Sequence, residues 1–533
     1  MASCDVLVVG GGLAGLTSAV FLASSGVRVT LVEEHLGTLI HPRARTINPR
    51  TAEVLRQAGL EREIAEASSY VRELPSVRRL RAHTLAAPED HVIEERPPVD
   101  AAGGYQVSPS RWAMIDQDRL EGLLLRRARE LGAEVRFGTR LETFTQDAAG
   151  VRARLTGPGG PAELDAAYLV GADGYGSRVR ELCDVAACGP GRLGRQVSMV
   201  FEADLSGVLR GRHDPENGRY LGVAHLEQPR PGTVLSPYGQ ARWVLYTPYD
   251  PERDGPISGF GAGRCTEIIR AAAGSAEVTA TIVPQLADGT RVLSYETAAY
   301  VADRFRVGRV FLAGDAAHAM PPAGAFGAGT GIQDAHNLAW RLAFVLRGDA
   351  GEGLLEGYES ERRPVAWFTL GQALRQMRQF NASALRFPEE GPVVEYDAVV
   401  FGYRYDAGTD GPPAYPPREL RGQVGTRAPH VAVGSGSTLD WYGRELVLVS
   451  AQSSGTEPSA DWTEVARTRL RVRSLADAGP DAAAAHGLPP GGALLVRPDG
   501  FVWWHCAQSA EPLANALRRV LDRHPVTASQ ERP

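Results

Sequence analysis

The chain has 533 residues, which is too long for one ordinary hydrophobic core, so two or three domains are expected. It is 43% hydrophobic and 23% charged with a net charge of -6, so nothing suggests nucleic acid or an anionic membrane as a partner. All 57 basic residues are Arg, which excludes a Walker-type phosphate loop, a Schiff-base lysine and other lysine-dependent chemistry.

The cysteines and the apolar segments favour a reduced cytoplasmic protein. The 5 cysteines show neither a C-x-x-C pair nor a zinc-binding spacing, so no disulfide framework and no metal site are predicted. Asp5 and three consecutive glycines interrupt the apolar start, which is therefore not expected to be a signal peptide. A membrane-spanning helix needs about 18 apolar residues in succession, and no such run occurs.

The first predicted elements are a strand, a glycine turn, a helix and a second strand. Residues 5–9 end in a continuous apolar run, as in a parallel strand covered on both faces. A G-x-G-x-x-G turn follows at residues 10–15, and residues 27–32 form the next apolar run, which leads to Glu33. A plain glycine-rich turn is the alternative, but the two flanking strands and the well-placed acid favour a dinucleotide-binding unit.

Each residue type in this unit has a physical role. Gly10 permits the tight turn, Gly12 lets a pyrophosphate approach the backbone, and Gly15 lets the helix pack closely on the sheet. The free N–H groups and the positive end of the helix hold the phosphates, and Glu33 can accept a hydrogen bond from the adenosine ribose. Glu34 is a second candidate that could equally be a solvated charge. The predicted nucleotide-binding residues here are Gly10, Gly12, Leu13, Ala14, Gly15, Glu33 and Glu34.

Two later segments distinguish FAD from NAD. Residues 168–172 read as a strand that ends at Asp173-Gly174, and residues 309–313 read as a strand that ends at Gly314-Asp315. Each could be an ordinary strand exit, because Asp and Gly favour turns. Both together, in this order behind a dinucleotide turn, resemble the group A FAD-dependent aromatic hydroxylases, whose type member is p-hydroxybenzoate hydroxylase. The resemblance spans about residues 4–375, with a weaker match beyond.

The resemblance implies roles for several positions. Asp315 would contact the ribitol of non-covalently bound FAD, and the helix after it would point its positive end at the pyrimidine edge of the flavin. Arg43 and Arg45 would contact the pyrophosphate and the flavin, although either could instead form a surface ion pair. The positions carried over from the family are Arg43, Arg45, Gln117, Asp173, Gly174, Gly314, Asp315, Pro322, Gly324, Gly327, Ala328, Gly329 and Thr330.

The flavin-edge segment departs from the family pattern P-P-x-G-G-x-G-x-N-x-G. Ala325 replaces a glycine, and Gly329 stands in place of the asparagine. The second change removes a side-chain hydrogen-bonding group but keeps the backbone N–H donors. We therefore expect that FAD still binds, and that the change affects the affinity for FAD and its reduction potential.

The resemblance also implies the architecture. It predicts an α/β fold with a Rossmann-like FAD-binding domain of the glutathione-reductase type, interleaved with a β-sheet substrate domain, and a thioredoxin-like C-terminal domain as in phenol-type and polyketide-type hydroxylases. Without a C-x-x-C pair, that last domain is expected to be structural or dimerising. The predicted boundaries are 1–72, 110–184 and 300–365 for FAD binding, 73–109 and 185–299 for substrate binding, 366–417 for a helical tail and linker, and 418–533 for the thioredoxin-like domain.

Alternating strands between residues 185 and 300, one of them at 277–282, are predicted to cover the substrate cavity. Aromatic residues in strands are more often core than cavity wall. No catalytic acid or base can be named, because lone histidines such as His213 and His225 are usually structural. The candidate wall residues are Tyr220, Tyr238, Trp243, Tyr246, Tyr295 and Pro322.

The implied reaction is an NAD(P)H-driven monooxygenation. NADPH or NADH binds transiently and reduces FAD, O2 adds to give a C4a-hydroperoxyflavin, and one oxygen atom enters an aromatic substrate, for which a polycyclic polyketide is favoured. The protein excludes water and orients the ring. A small molecule is the expected partner of a monomer or homodimer.

Other flavin chemistry stays open. A Baeyer–Villiger or epoxidising enzyme on a polyketide, a small-phenol hydroxylase and a non-oxygenating flavoprotein share the same framework. A flavin-dependent halogenase is disfavoured, because the catalytic lysine and the W-x-W-x-I-P segment of that family are absent.

Overall fold

The computed structural model describes residues 2–40, 43–68, 76–87, 91–96, 107–211, 213–214, 219–238, 242–286, 288–380, 394–405, 412–452, 470–509 and 512–521. In chain order the strands are β1 (Ala2–Val9), β2 (Val29–Glu33), β3 (Ser76–Ala82), β4 (His91–Arg96), β5 (Glu134–Phe137), β6 (Arg140–Gln146), β7 (Val151–Gly157), β8 (Gly160–Gly171), β9 (Ala187–Glu202), β10 (Arg219–Leu226), β11 (Thr233–Tyr238), β12 (Arg242–Pro248), β13 (Thr281–Val283), β14 (Val292–Ala302), β15 (Arg306–Val307), β16 (Val310–Leu312), β17 (His318–Ala319), β18 (Ala432–Val433), β19 (Gly436–Ser437), β20 (Leu446–Ser450), β21 (Leu470–Ser474), β22 (Ala493–Val496) and β23 (Val502–His505). The helices are α1 (Leu13–Ser24), α2 (Pro49–Gln57), α3 (Glu61–Ala67), α4 (Gln117–Glu130), α5 (Arg178–Leu182), α6 (Ser206–Leu209), α7 (Pro251–Asp254), α8 (Ala262–Ala273), α9 (Gly327–Leu346), α10 (Glu356–Phe380), α11 (Tyr396–Phe401), α12 (Ala482–Ala485) and α13 (Leu513–Leu521).

The first sheet has the strand order β15-β16-β8-β1-β2-β5, with β6 and β7 added beside β8. The pairs from β16 through β8, β1 and β2 to β5 are parallel. Because both faces of this parallel core are covered, Val6, Leu7 and Val8 are fully buried, as their continuous apolar run predicts. The predicted Rossmann-like FAD-binding fold is confirmed.

The second sheet has the order β17-β14-β9-β12-β11-β10-β3-β4, with β13 paired to β9. One face packs on an apolar core that includes Met199, Phe201 and Ile269. The other face contacts the FAD-binding part, where Arg45 donates a hydrogen bond to Ser236. The sheet draws its strands from the two ranges predicted for the substrate domain, and it also takes β17 from within the predicted FAD-binding range. The domain boundaries stay a prediction.

One predicted strand is much shorter than expected. Residues 277–282 contain only the start of β13, because helix α8 ends at Ala273, with Gly274 as its C-cap, and residues 276–280 form a turn and an irregular segment. The long helix after the Gly314-Asp315 turn, α9, begins at Gly327, within the flavin-edge segment itself.

The C-terminal sheet has the order β21-β20-β22-β23, with β20 and β21 parallel and the other pairs antiparallel. Helix α13 buries Leu513 and Leu517 in a core shared with Leu448 of the sheet and with Trp340 of α9. This arrangement is compatible with the predicted thioredoxin-like fold, which stays a prediction. Across the described ranges, every helix is too short or too polar to cross a membrane.

Candidate cofactor and substrate site

The glycine turn has no room for a side chain at Gly10 or Gly15, where it packs on the protein, but it is open at Gly12. A Cβ atom at Gly10, whose φ is +106°, would lie 2.3 Å from the carbonyl oxygen of Ala172, and one at Gly15 would lie 1.9 Å from the oxygen of Gly10. At Gly12 the nearest atom to such a Cβ is 3.9 Å away. Among the described residues no side chain caps the N-terminus of α1 at Gly12, so the first N–H groups of this helix are available to a pyrophosphate. The geometry therefore fits a dinucleotide.

Glu33 lies beside this turn at the end of β2. Its Oε2 accepts a hydrogen bond of 2.6 Å from the N–H of Gly11, and its Oε1 accepts one of 2.9 Å from the N–H of His35. A carboxylate oxygen has a second lone pair, so Glu33 can still accept a ribose hydroxyl. Glu34 is exposed. Glu33 therefore makes hydrogen bonds beside the turn, and no such hydrogen bonds are seen for Glu34 among the described residues.

The segment from Arg43 to Arg45 is fixed by the start of α4. The N–H of Ala44 donates to Gln117 Oε1 at 3.1 Å, and the N–H of Gln117 donates to the oxygen of Ala44 at 2.9 Å. Arg45 Nε donates to Asp116 Oδ1 at 2.5 Å, and Asp116 is 1% exposed, so this ion pair is buried rather than on the surface. Arg43 is exposed. Of the two arginines, Arg43 is the freer to meet a ligand.

Glu121 is a site residue that the sequence analysis missed. It lies one helical turn after Gln117, whose Nε2 donates to Glu121 Oε1 at 2.8 Å, and the N–H of Leu39 donates to Oε2 at 3.1 Å. Burial raises the pKa of Glu121 above its ordinary value. Its Oε1 is the atom nearest to the open side of Gly12. The sequence gives no clear signal for it, because Glu121 reads as one more charge on an amphipathic helix and its burial beside Leu120 and Leu124 is seen only in the fold.

Asp173 acts mainly within its own turn. Its Oδ1 accepts a hydrogen bond of 2.6 Å from Ser177 Oγ, and its Oδ2 accepts one of 2.9 Å from the N–H of Val179. These contacts fix the start of the short helix α5, and burial raises the pKa of Asp173. Gly174 has a φ of +79°, and a Cβ atom added to it would have none of the described atoms within 4 Å. The part that this pair takes in cofactor binding stays a prediction.

A cluster of buried charged residues binds the backbone of the Gly314-Asp315 turn. Asp334 Oδ2 accepts a hydrogen bond of 3.1 Å from the N–H of Gly314 and lies 2.6 Å from His318 Nε2. Asp334 Oδ1 accepts one of 2.8 Å from Arg362 Nε. Although burial raises it, the charges of His318 and Arg362 hold the pKa of Asp334 below its ordinary value. Asp315 is exposed, and its carboxylate accepts no hydrogen bond from the described residues. It is thus available to a ligand.

Small residues bring three elements together at this turn. A Cβ at Gly314 would lie 2.8 Å from the Cβ of Ala14 on α1, and a Cβ at Gly331 on α9 would lie 3.1 Å from the Cα of Gly314. The turn, α1 and α9 can approach this closely only because all three residues are small. Leu13, the other predicted residue of α1, is buried beside Ala14.

The flavin-edge segment ends at an uncapped helix. Phe326 occupies the N-cap position of α9 without a side-chain hydrogen bond, so the first N–H groups, which include those of Gly327 and Ala328, have no cap. Ala325 has a φ of +55°, a left-handed conformation in which a glycine would carry no strain. Thr330 Oγ1 donates to the oxygen of Phe326 at 2.9 Å. Pro322 is exposed, whereas Gly324 and Gly329 are buried. The N-terminus of α9 fits an anionic group.

Three of the predicted wall residues gather beside the arginine segment. Tyr238 donates a hydrogen bond of 2.9 Å to Asp118, and its ring centroid lies 5.6 Å from the guanidinium of Arg45. The rings of Tyr246 and Tyr295 meet edge to face, with centroids 5.9 Å apart. Burial raises the pKa of Tyr246 to about 12, and the nearby charges of Arg45 and Arg43 oppose the shift. Arginines and tyrosines therefore converge on one face of the second sheet.

Trp243 is not part of this face, which corrects the prediction for that residue. Its register partners in the sheet are Phe201 and Pro237, and both Trp243 and Phe201 belong to the apolar core on the other side. Strand residues alternate between faces, so Trp243 and Tyr246, an odd number of residues apart, must point opposite ways. Tyr220 is buried against His213, with ring centroids 5.1 Å apart.

Comparisons with known proteins agree with this geometry. Residues 3–373 match the FAD binding domain family, and residues 421–524 match the family described as aromatic-ring hydroxylase, C-terminal. The aklavinone 12-hydroxylase of Streptomyces purpurascens is 38% identical, with 97% of this chain and 99% of that protein covered. The tetracenomycin B2 monooxygenase-dioxygenase of Streptomyces olivaceus is 41% identical, with 97% and 98% covered.

Solved structures are similar over the same length. A crystal structure of aklavinone-11 hydroxylase with FAD and aklavinone has a TM-score of 0.85 and 35% identity, with 98% of this chain and all of that one covered. The flavin-dependent monooxygenase PieE with FAD and substrate has a TM-score of 0.80 and 28% identity, with 98% and 99% covered. Because one family match covers most of the chain and relatives above 35% identity cover nearly all of it, the chain belongs to the FAD-dependent aromatic-ring hydroxylases.

Proposed function

We propose that this enzyme uses NADPH or NADH and O2 to insert one oxygen atom into a polycyclic aromatic polyketide. The observation that carries the substrate class is the near-complete match to proteins named for aklavinone and tetracenomycin substrates. A structural neighbour bound to FAD and aklavinone supports the same class. We also propose that the enzyme works in the cytoplasm as a monomer or homodimer.

The residues of the site have distinct parts in this proposal. The turn at Gly10 and Gly12 and the N-terminus of α1 hold the pyrophosphate of FAD, with Glu33 at the ribose. Asp315 would hold the ribitol of FAD, and the uncapped N-terminus of α9 would supply backbone N–H donors and the positive end of the helix to the flavin ring. Bound FAD supplies the redox and oxygen chemistry. Arg43 is the cation left for the cofactor once Arg45 is paired with Asp116.

The tyrosine face of the second sheet is the proposed substrate wall. Tyr246 and Tyr295 present aromatic edges and faces, which suit a flat polycyclic ring system. Burial raises the pKa of Tyr246 to about 12, so this phenol stays protonated even in alkaline solution and presents a neutral wall to the substrate. Arg43, whose charge is not paired with Asp116 as that of Arg45 is, would favour an ionised substrate phenol over a neutral one.

The test is substrate-stimulated NADPH oxidation against a panel of polycyclic quinones and phenols, with products examined by mass spectrometry under 18O2. One labelled oxygen on a ring carbon of a polycyclic substrate is the expected result. Oxygen inserted into a C–C bond would indicate Baeyer–Villiger chemistry, and an epoxide would indicate the epoxidising alternative. NADPH oxidation that no panel member stimulates, or FAD that neither NADPH nor NADH reduces, would contradict the proposal.

A small-phenol hydroxylase is the second candidate. The 4-methyl-5-nitrocatechol 5-monooxygenase of a Burkholderia species is 35% identical over 97% of this chain. The panel therefore includes substituted catechols. A higher kcat/KM for a catechol than for every polycyclic compound would move the assignment to this candidate.

A further inference from the structure

Asn48 occupies the space beside the first turn of α9, next to Gly329. A Cβ atom at Gly329 would lie 2.6 Å from Thr51 Oγ1 and 3.3 Å from Asn48 Nδ2. The first distance is too short for any real Cβ contact, so a side chain at position 329 would require Thr51 to move. The glycine that stands in place of an asparagine is therefore required by neighbours that come from another helix.

The amide of Asn48 has a fixed orientation. Its Oδ1 accepts a hydrogen bond of 2.9 Å from the N–H of Thr51 and another of 2.9 Å from Thr51 Oγ1, so it caps α2. Because both donors bind the oxygen, the NH2 group is the part turned towards Gly329. Asn48 is 5% exposed, and none of the described residues accepts a hydrogen bond from its Nδ2. The Nδ2 donor is therefore available to a ligand or to water.

A second carboxamide is arranged in the same way nearby. Gln333 is 8% exposed, and its Oε1 accepts a hydrogen bond of 2.7 Å from the hydroxyl of Tyr403. Asn48, Gln333 and Thr330 line a common cavity of ≈ 20 Å³ beside the start of α9. The uncapped N–H groups of α9 and the Asn48 amide therefore place positive hydrogen-bonding dipoles around one end of the helix.

We propose that Asn48 is a positioning residue for the flavin, and that its amide supplies from α2 the polar group that Gly329 cannot supply from α9. This rests on the proposed function, which places the pyrimidine edge of FAD at the N-terminus of α9. Reduction puts negative charge on that edge, and a preorganised donor dipole stabilises such charge more than it stabilises the neutral oxidised ring. Asn48 thus raises the reduction potential of the bound FAD.

The experiment separates the donor role from the helix cap. Ser and Asp keep an oxygen that can cap α2, and both lose the amide donor; the hydroxyl of Ser can donate, but it ends one bond closer to the backbone and does not reach the position of Nδ2. In the full-length holoenzyme, the flavin midpoint potential, FAD affinity and thermal unfolding midpoint are measured for wild type, Asn48→Ser, Asn48→Asp and Asn48→Ala. Asp250→Asn, which changes the cap of the distant helix α7, is the matched control.

The expected result is a loss in binding of reduced FAD relative to oxidised FAD. About tenfold is expected for Asn48→Asp, which equals a potential lower by about 30 mV for a two-electron couple, and about threefold for Asn48→Ser. Because Asp also adds charge, the neutral Ser variant decides the matter. Wild-type potential in Asn48→Ser, with lowered stability in Asn48→Ala alone, would overturn the proposal and leave Asn48 as a helix cap.

A rescue tests the equivalence of the two positions. Asn48→Ala combined with Thr51→Ala removes the atoms that crowd Gly329, and adding Gly329→Asn then returns an amide from α9. Recovery of the potential lost in the double variant supports the proposal, and an unchanged potential with FAD bound normally counts against it. Failure of the proposed function would look different, because wild-type enzyme would then lack substrate-stimulated NADPH oxidation whatever the potentials of the variants.

Discussion

Replacing Asp334 with Asn tests whether the buried charge cluster holds the Gly314-Asp315 turn. Arg362 and Asp334 are both 0% exposed, and their Nε and Oδ1 atoms are 2.8 Å apart. Asn keeps the shape but leaves the Arg362 charge buried without a counterion, which typically costs about 3–5 kcal/mol. With an unfolding entropy of about 2 cal/mol/K per residue over about 370 residues, a loss of about 4 kcal/mol lowers Tm by about 5 °C.

The assay is thermal unfolding followed by release of fluorescent FAD, together with titration of FAD into apoprotein. Because the N–H of Gly314 loses its charged acceptor, we expect FAD affinity to fall by about tenfold, as loss of a charge-assisted hydrogen bond would. The matched control is Asp165→Asn, since Asp165 and its partner Arg152 are 36% and 55% exposed and such pairs contribute at most about 1 kcal/mol. The pKa of Asp334 is lowered, so its contribution is present above about pH 4 and is lost as the pH falls below that value. A Tm for Asp334→Asn equal to that of the control would refute the reasoning.

Further predictions concern neighbouring residues. Arg45→Ala leaves buried Asp116 unpaired and should lower the free energy of unfolding, measured by denaturant titration, by about 3 kcal/mol. Arg43→Ala should change this free energy by less than about 0.5 kcal/mol but should weaken FAD binding. Equal losses of stability in the two variants would contradict this prediction. Burial lowers the pKa of His336 to about 3, so the fold loses stability as the pH falls from about 6.5, and His336→Gln should reduce the loss in urea midpoint between pH 7 and pH 5. An unchanged slope would show that other groups cause it. Ala325→Gly removes a left-handed alanine and should stabilise the fold by up to about 1 kcal/mol, and a lower Tm would mean that the φ of +55° is not strained.

The glycine turn could be predicted as a structural unit because its residues act through their own backbone, whereas its binding of the nucleotide stays a prediction. Gly10 and Gly15 are required by atoms only a few residues away or on the adjacent strand, and a local pattern of glycines and apolar residues records that requirement. Glu33 likewise follows directly from the end of its strand. A linear motif is sufficient where the chemistry depends on the turn itself.

The flavin end depends on residues that meet only in the folded chain. Asp334 contacts His318 and Arg362, which come from a short strand and from another helix, so no spacing in the sequence identifies the cluster. The sequence did contain a signal that Trp243 is not a wall residue. Side chains alternate between the two faces of a strand, so Trp243 and Tyr246 point to opposite faces, whereas their aromatic character alone does not distinguish them.

The position of α9 finally depends on the C-terminal domain. Asn337 Nδ2 donates to Asp499 Oδ2 at 3.2 Å, and Glu361 lies 2.7 Å from Arg341 on α9 and 2.6 Å from Arg497 of the C-terminal domain. Buried charges of this kind are tolerated only when they are paired. Because the same helix presents its N-terminus at the proposed flavin edge, the contacts support a structural role for a domain that has no C-x-x-C pair. The charged residues of this domain bind the middle of α9, the helix whose N-terminus lies at the proposed flavin edge.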